Sequence, residues 1–473
     1  MAEDIRRPIM HKIVLFAVMV VLSMPAAAFS KTEVILGGFV KLQAYWDSAQ
    51  NSKNMNLAPA RNNDNSFQHG KMHFTAQGSR INFTIKGPEV WGAQAMGFLE
   101  FDFNCGEGGI AGTANTPSRP YTPVLRHAMF RFNWPATELL FGQYWSMFSE
   151  WYPEVSEDGP LQMTGTPTAR MAQVRFTQKF KGDWTVAALM GDPNQALLPG
   201  TAGPYNASIN NGQSAETPQV QGKVQFQHDF WGKAAYFGRP IPFTARVVAG
   251  WQRNVIRSQQ FSINSFGENN PSTFTVNVKN QYLNPWLVMG SLFIPVIPTH
   301  SANLARTASI LAQGWIGQGV ESFGFLGVAG NIYRFNNNFN NILMYEASLL
   351  KKFGGFVQAQ YYFNNKWFAN AIYGFSKAYG LSRARSQFGG GGYEWAFNAA
   401  QAQTIQQAIF ILWYRPIQAV KFGVQYAFAS ATYFQNALPA NAYGGTTIPG
   451  ANPADTSRYG DEHRIEFVGF FHF

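Results

Sequence analysis

Cysteine is almost missing: Cys105 stands alone in a chain of 473 residues. One cysteine leaves no internal disulfide framework, which excludes a stapled secreted scaffold. Cys105 sits in FNCGEGG, a loop-like stretch, and no histidine arrangement accompanies it that would make it a catalytic thiol. Charge is scarce too. Asp, Glu, Lys and Arg make up 13% of the chain, about half of the roughly 25% usual for soluble domains. A soluble protein so poor in charge would have trouble covering its surface. The net charge is +10, yet no Lys/Arg run occurs, so the excess is dispersed and no nucleic-acid partner is expected. Beyond the N-terminal segment, no apolar run reaches the roughly 18 residues of a transmembrane helix. The most apolar one, WLVMGSLFIPVIP (Trp286 to Pro298), is short and holds Pro295 and Pro298. The eight histidines lack metal-ligand spacing, and GGGG at 389–392 lacks the Lys-Ser/Thr and helix of a phosphate loop. Neither a metal nor a cofactor is expected. Asn206-Ala207-Ser208 matches a glycosylation sequon and carries little weight in a bacterial chain.

What is present points to an exported membrane protein. Arg6, Arg7, His11 and Lys12 precede an apolar stretch, Ile13 to Met24, and then PAAA with small residues at Ala26 and Ala28. That is the pattern of a signal peptide spanning 1–28, with one domain over 29–473. Met10 is an alternative initiator, since MHKIVLF is already an adequate start. No cysteine follows the cleavage site, which argues against a lipoprotein. Aromatics reach 16%, with 42 Phe.

Period-two alternation runs through almost the whole chain. In PQVQGKVQFQHDF, Gln219, Gln221, Lys223, Gln225, Gln227 and Asp229 share one face; Val220, Val224, Phe226 and Phe230 share the other. VILGGFVKLQAYWD sets Val40, Leu42 and Trp46 against Lys41, Gln43 and Asp47. HRIEFVGFFHF sets Ile465, Phe467, Phe471 and Phe473 against Arg464, Glu466 and His472. Connectors alternate between short ones, such as KGPEVWG, NWPATE and KFKGDW, and long ones, such as 48–70, 105–122 and 149–168. Short turns at one end and long loops at the other are the plan of an outer-membrane barrel. Trp91, Trp134, Trp184, Trp231, Trp367 and Trp413 fall beside short turns, as in an interfacial girdle. The predicted fold is therefore an all-β transmembrane antiparallel barrel of about sixteen strands, with the strand boundaries in 274–342 left open by the alternation. Its apolar faces meet lipid and its polar faces line a wet lumen too wide for side chains alone to fill.

The third long loop differs from the rest. It carries Glu150, Glu154, Glu157 and Asp158. Similarity to general porins, whose third loop folds into the lumen, implies that it folds inward and sets this acidic cluster across a gap from basic wall residues such as Arg80, Arg131, Arg175 and Lys179; the plainer reading is an acidic surface loop.

Four motifs occur in order: GGFVKLQAYWD near the start, GSRINF at 78–83, LRHAMFRF at 125–132 and GQYWSMF at 142–148. With them the chain resembles the DcaP-like family of trimeric outer-membrane porins, most specifically over residues 37–170. The resemblance implies a sixteen-stranded homotrimer in the outer membrane of a Gram-negative bacterium. It also implies uptake of small anions, with dicarboxylates favoured. Some family members carry an N-terminal coiled coil; none is apparent here after the signal peptide. The implied partners are the lipid bilayer with its lipopolysaccharide, small anionic solutes, sister copies, and the barrel assembly machinery, which would read the terminal Phe473.

The candidate pore-lining residues are Arg80, Arg126, Arg131, Arg175, Lys179, Lys223 and Arg246, with Glu100 and Asp102 as wall carboxylates. A basic ladder of this kind lowers the barrier for anions. The plainer role is pairing: Arg80 with Glu100 or Asp102, and Arg464 with Glu466. Three rival readings stand beside the anion channel. The first is a non-selective diffusion porin. The second is a structural or adhesive barrel. The third is an outer-membrane enzyme, for which His127 and His228 are too isolated to build a catalytic constellation, so no enzyme is expected.

Overall fold

The computed structural model describes residues 32–49, 69–104, 123–157, 164–193, 217–256, 259–265, 272–278, 281–324, 332–338, 342–379, 394–396, 402–433 and 459–473, with 57, 59, 159 and 161. The segment 1–28, Cys105, Asp158, the sequon at 206–208 and the glycines at 389–392 lie outside them.

Sixteen staves close one antiparallel barrel. In chain order they are β1 (Glu33–Asp47), β2 in two pieces (Lys71–Thr75 and Arg80–Val90), β3 (Ala93–Asp102), β4 (Val124–Asn133), β5 (Thr137–Trp145), β6 (Arg170–Lys179), β7 (Trp184–Gly191) and β8 (Gln219–His228). The second half is β9 (Phe243–Trp251), β10 (Trp286–Ile297), β11 (Ala308–Gln318), β12 (Lys351–Tyr362), β13 (Trp367–Tyr379), β14 (Ala402–Ile417), β15 (Val420–Tyr433) and β16 (Tyr459–His472). Each pairs with its chain neighbour. β16 closes on β1 over nine residue pairs, from Phe39 opposite His472 to Asp47 opposite Arg464. Closure leaves no sheet edge, which a hydrocarbon environment requires. β2 is interrupted at 76–79, where the Ser79 hydroxyl accepts from the Lys41 backbone N–H at 3.0 Å.

The alternation lands as the sequence predicts. Val40, Leu42, Val224, Phe467 and Phe471 are exposed outside, while Lys41, Gln43, Gln219, Gln221, Arg464 and Glu466 are buried inside. Apolar out and charged in is the inverse of a soluble domain, and it is what a barrel in lipid needs. The uncertain stretch resolves into β10 and β11 in the wall. Strands Ser272–Val278 and Ile332–Asn338, with Ile342–Ser348, pair instead in a separate five-stranded sheet among the long connectors.

Two details depart from the reading of the sequence. Trp413 does not join the girdle: it is fully buried on the inner face, in a cluster with Phe368, Ile411 and Val468. It shares parity with Ile409 and Ile411, and the Lys421 ammonium sits 4.1 Å from its ring centroid. Arg464 is gripped by Asp47, at 2.6 and 3.0 Å. Asp47 stands directly opposite it across the closing seam, whereas Glu466 is a same-strand neighbour two residues along.

Candidate functional site

The third long loop, 146–169, folds into the lumen. Its neck is tied by the Ser146 N–H to the Ala169 carbonyl (3.0 Å) and by the Ala169 N–H to the Ser149 hydroxyl (2.9 Å). A short turn, Met147–Ser149, then buries Met147 and Phe148 beneath the wall residues Val248, Leu287 and Met289.

From there the loop is clamped at successive carboxylates. Glu150 receives Arg175 from β6 at 2.7 Å, Lys223 from β8 at 2.7 Å and Arg246 from β9 at 3.1 Å. Burial alone would raise this carboxyl, but the three cations bring it down to about 2. The expected gap between acidic loop and basic wall is therefore closed here: the charges touch. Glu154 reaches the far wall, where it accepts from Gln360 at 2.9 Å and Lys421 at 3.2 Å. The Ser156 carbonyl accepts from the Lys41 ammonium at 2.7 Å, and its N–H donates to Gln425 at 3.1 Å. Glu157 accepts from Gln407 at 3.2 Å, and its other oxygen has no hydrogen bond among the described residues. Burial pushes Glu157 up to about 8; Arg464 opposes that shift, and Glu466 and Asp47 add to it.

The remaining predicted residues divide by position. A bulge in β4 sets Arg126 and His127 both inward, because Glu100 faces His127 while Phe101 faces Leu125. Arg126 grips Glu100 at 2.7 Å and Asp102 by its other branch. Arg80 is looser: it lies 3.9 Å from Glu100, rests on the Phe39 ring and leaves its Nε unbonded among the described residues. Arg131 pairs with Glu138 at 3.1 Å near the short-turn end. Lys179 is exposed at that end and has no ion pair among the described residues.

A second element fills the lumen from the opposite side. Between β8 and β9 the chain makes a hairpin, Ala234–Tyr236 against Arg239–Ile241. Ala234 and Ala235 are buried, and Tyr236 and Ile241 pack into a cluster with Trp151, Val155, Phe293 and Phe356. Together loop and hairpin fill much of the lumen.

Among the described residues a cavity of about 230 Å³ is bounded by Lys41, Arg80, Arg126, Lys421, Phe470 and His472 of the wall, and another of about 470 Å³ by Gln143, Arg170, Asp192, Gln219 and Ser322. Tyr152, Glu157 and Phe237 border the first from within. Lys41 and Lys421 were visible on polar faces but did not stand out from other inward cations. Arg170 was missed as well; it stacks on the Trp145 ring at 5.3 Å, and its Nη1 has no partner among the described residues. The hairpin's sequence signal was the length of DFWGKAAYFGRPIP between two clear strands.

No protein-family profile matches the chain, and no curated protein does. Solved structures do. The outer membrane channel DcaP of Acinetobacter baumannii aligns at 18% identity over 95% of this chain and 100% of its own, with a TM-score of 0.62. The anion-selective porin from Comamonas acidovorans aligns at 8% identity over 94% and 100%, with a TM-score of 0.49. The first likeness establishes a shared barrel fold, and it agrees with the resemblance carried by the four motifs.

Proposed function

We propose that the protein is an outer-membrane channel for passive diffusion of small hydrophilic solutes, with a preference for anions such as dicarboxylates. One observation carries the preference. Among the described residues, four cationic side chains, Lys41, Arg80, Arg126 and Lys421, border one cavity, against one carboxyl, Glu157. That carboxyl stays protonated up to a pH of about 8. A passage with such a lining, between low-dielectric walls, concentrates anions and repels cations. Several cations bordering one cavity suit a solute with two carboxylates. In the same reading, residues 1–28 direct export, Phe473 marks the chain for barrel assembly, and three copies associate in a membrane carrying lipopolysaccharide.

The test is single-channel recording in a planar bilayer under a KCl gradient, with succinate then added. Anion-selective conductance in steps of three, with flicker on adding succinate, is expected. A rival draws on the carboxylates behind the lining: Glu100, Asp102 and Glu154 already neutralise Arg126 and Lys421. If those pairs cancel the field, selectivity vanishes and the protein is a general diffusion porin.

A further inference from the structure

The hairpin does something a connector need not do. Other links at this end, such as 90–93 and 133–137, turn in a few residues; this one spends 229–242 going into the lumen and back. It is held rigidly. Lys233 and Thr299 exchange backbone hydrogen bonds at 2.8 and 2.7 Å, and the Trp231 indole donates to the Pro295 carbonyl at 2.7 Å. The Ser309 hydroxyl donates to the Ala235 carbonyl at 3.1 Å. At the tip, Phe237 and Gly238 both have positive φ, 50° and 74°. Gly238 suits that backbone; a phenylalanine there is uncommon. The tip also meets the inward loop: the Tyr236 hydroxyl donates to the Tyr152 carbonyl at 3.2 Å, and the Phe237 ring stands edge-on to Tyr152 at 5.3 Å. Tyr236 faces the packed cluster, while Phe237 borders the open cavity.

We propose that this hairpin is a second constriction element, entering from the end opposite the loop, and that Phe237 sets the width of solute admitted. The passage then narrows between an aromatic tip and the cationic wall. Slender organic anions pass and branched or bulky ones are held back. The inference rests on the channel reading above.

The test measures reversal potentials in planar bilayers with acetate, and then with the bulky anion 2-(N-morpholino)ethanesulfonate, as the only permeant partner to chloride. Phe237→Asn removes the ring and tolerates the turn; Phe237→Trp enlarges it. Relative permeability of the bulky sulfonate should rise by about threefold in the Asn variant and fall in the Trp variant, while acetate changes little, because only the width of the narrow zone changes. Equal sulfonate permeability in wild type and both variants would overturn the role of Phe237 and leave the channel reading standing. A folded wild-type protein with no conductance would overturn both.

Discussion

Glu150 and Glu157 lie seven residues apart on one loop, yet burial acts on them in opposite ways. Glu150 has three cations within hydrogen-bond distance, and Glu157 has one amide. Removing the charge of Glu150 leaves Arg175, Lys223 and Arg246 crowded with no counterion. Glu150→Gln should therefore cost about 3–5 kcal/mol, the usual penalty for breaking a buried ion pair from one side. Unfolding of the detergent-solubilised barrel would read this, and an unchanged midpoint would mean the loop is held elsewhere. The pH dependence has a definite sign. The Glu150 pKa falls from 4.5 unfolded to about 2 folded, so its stabilisation is full above 4.5 and disappears as pH drops towards 2. Glu157 runs the other way. Its folded pKa is about 8, so rising pH first costs stability between 4.5 and 8, as the unfolded chain ionises and the folded one does not. Above about 8 the cavity gains a negative charge. Anion preference should then fall as pH is raised from 6 to 9, and Glu157→Gln should remove that fall. A wild-type selectivity that is flat across this range would show that the carboxyl does not face the ion path.

At the level of single strands, two patterns of apolarity coexist. β1 and β8 are apolar on the outer face only, and their inner faces carry Lys41, Gln43, Gln219 and Gln221. β10 is apolar on both: Val288 and Val296 are exposed outside, while Leu287, Met289 and Phe293 are buried inside. The inner apolar face exists because loop and hairpin cover it; Phe293 touches Trp151 and Tyr236 edge-on, at 6.4 and 6.1 Å. Phe293→Ala should cost about 3–5 kcal/mol, as truncations in packed cores do. Val288→Ala, on the lipid face, should cost far less. Equal costs in the same unfolding assay would mean that β10 faces an open lumen. The double apolarity was readable in WLVMGSLFIPVIP, but a short apolar run does not say what covers its second face. Alternation located the strands because it is a local property of pleated backbone. It could not show the bulge at Arg126, where one extra residue turns both Arg126 and His127 inward.

For the whole molecule, the barrel was legible and the site only in part. Sixteen staves and closure follow from periodicity and connector length, whereas the inward third loop was implied by the likeness to general porins. Which inward cations meet a carboxylate depends on register and on the path of the loop, and neither is written in the sequence. Arg175, Lys223 and Arg246 looked like rungs of an open ladder, yet they converge on one glutamate. The cavity bordered by Lys41, Arg80, Arg126 and Lys421 lies instead against β1, β2, β4, β15 and β16, so this cationic lining sits on one side of that cavity. That one-sidedness has a consequence for ionic strength. At about 0.1 M salt the Debye length is roughly 10 Å, and at about 1 M roughly 3 Å. In dilute salt the field of Lys41, Arg80 and Lys421 spans the passage; in concentrated salt it reaches only ions touching that wall. The anion-to-cation permeability ratio should therefore fall steeply from 0.1 to 1 M KCl, by severalfold across this roughly tenfold range. An Arg80→Ala, Lys421→Ala double variant should lower the dilute-salt ratio towards the concentrated-salt value and change the latter little. A ratio that stays high in 1 M KCl would place the selecting charges in direct contact with the permeating ion, because only contact survives such screening.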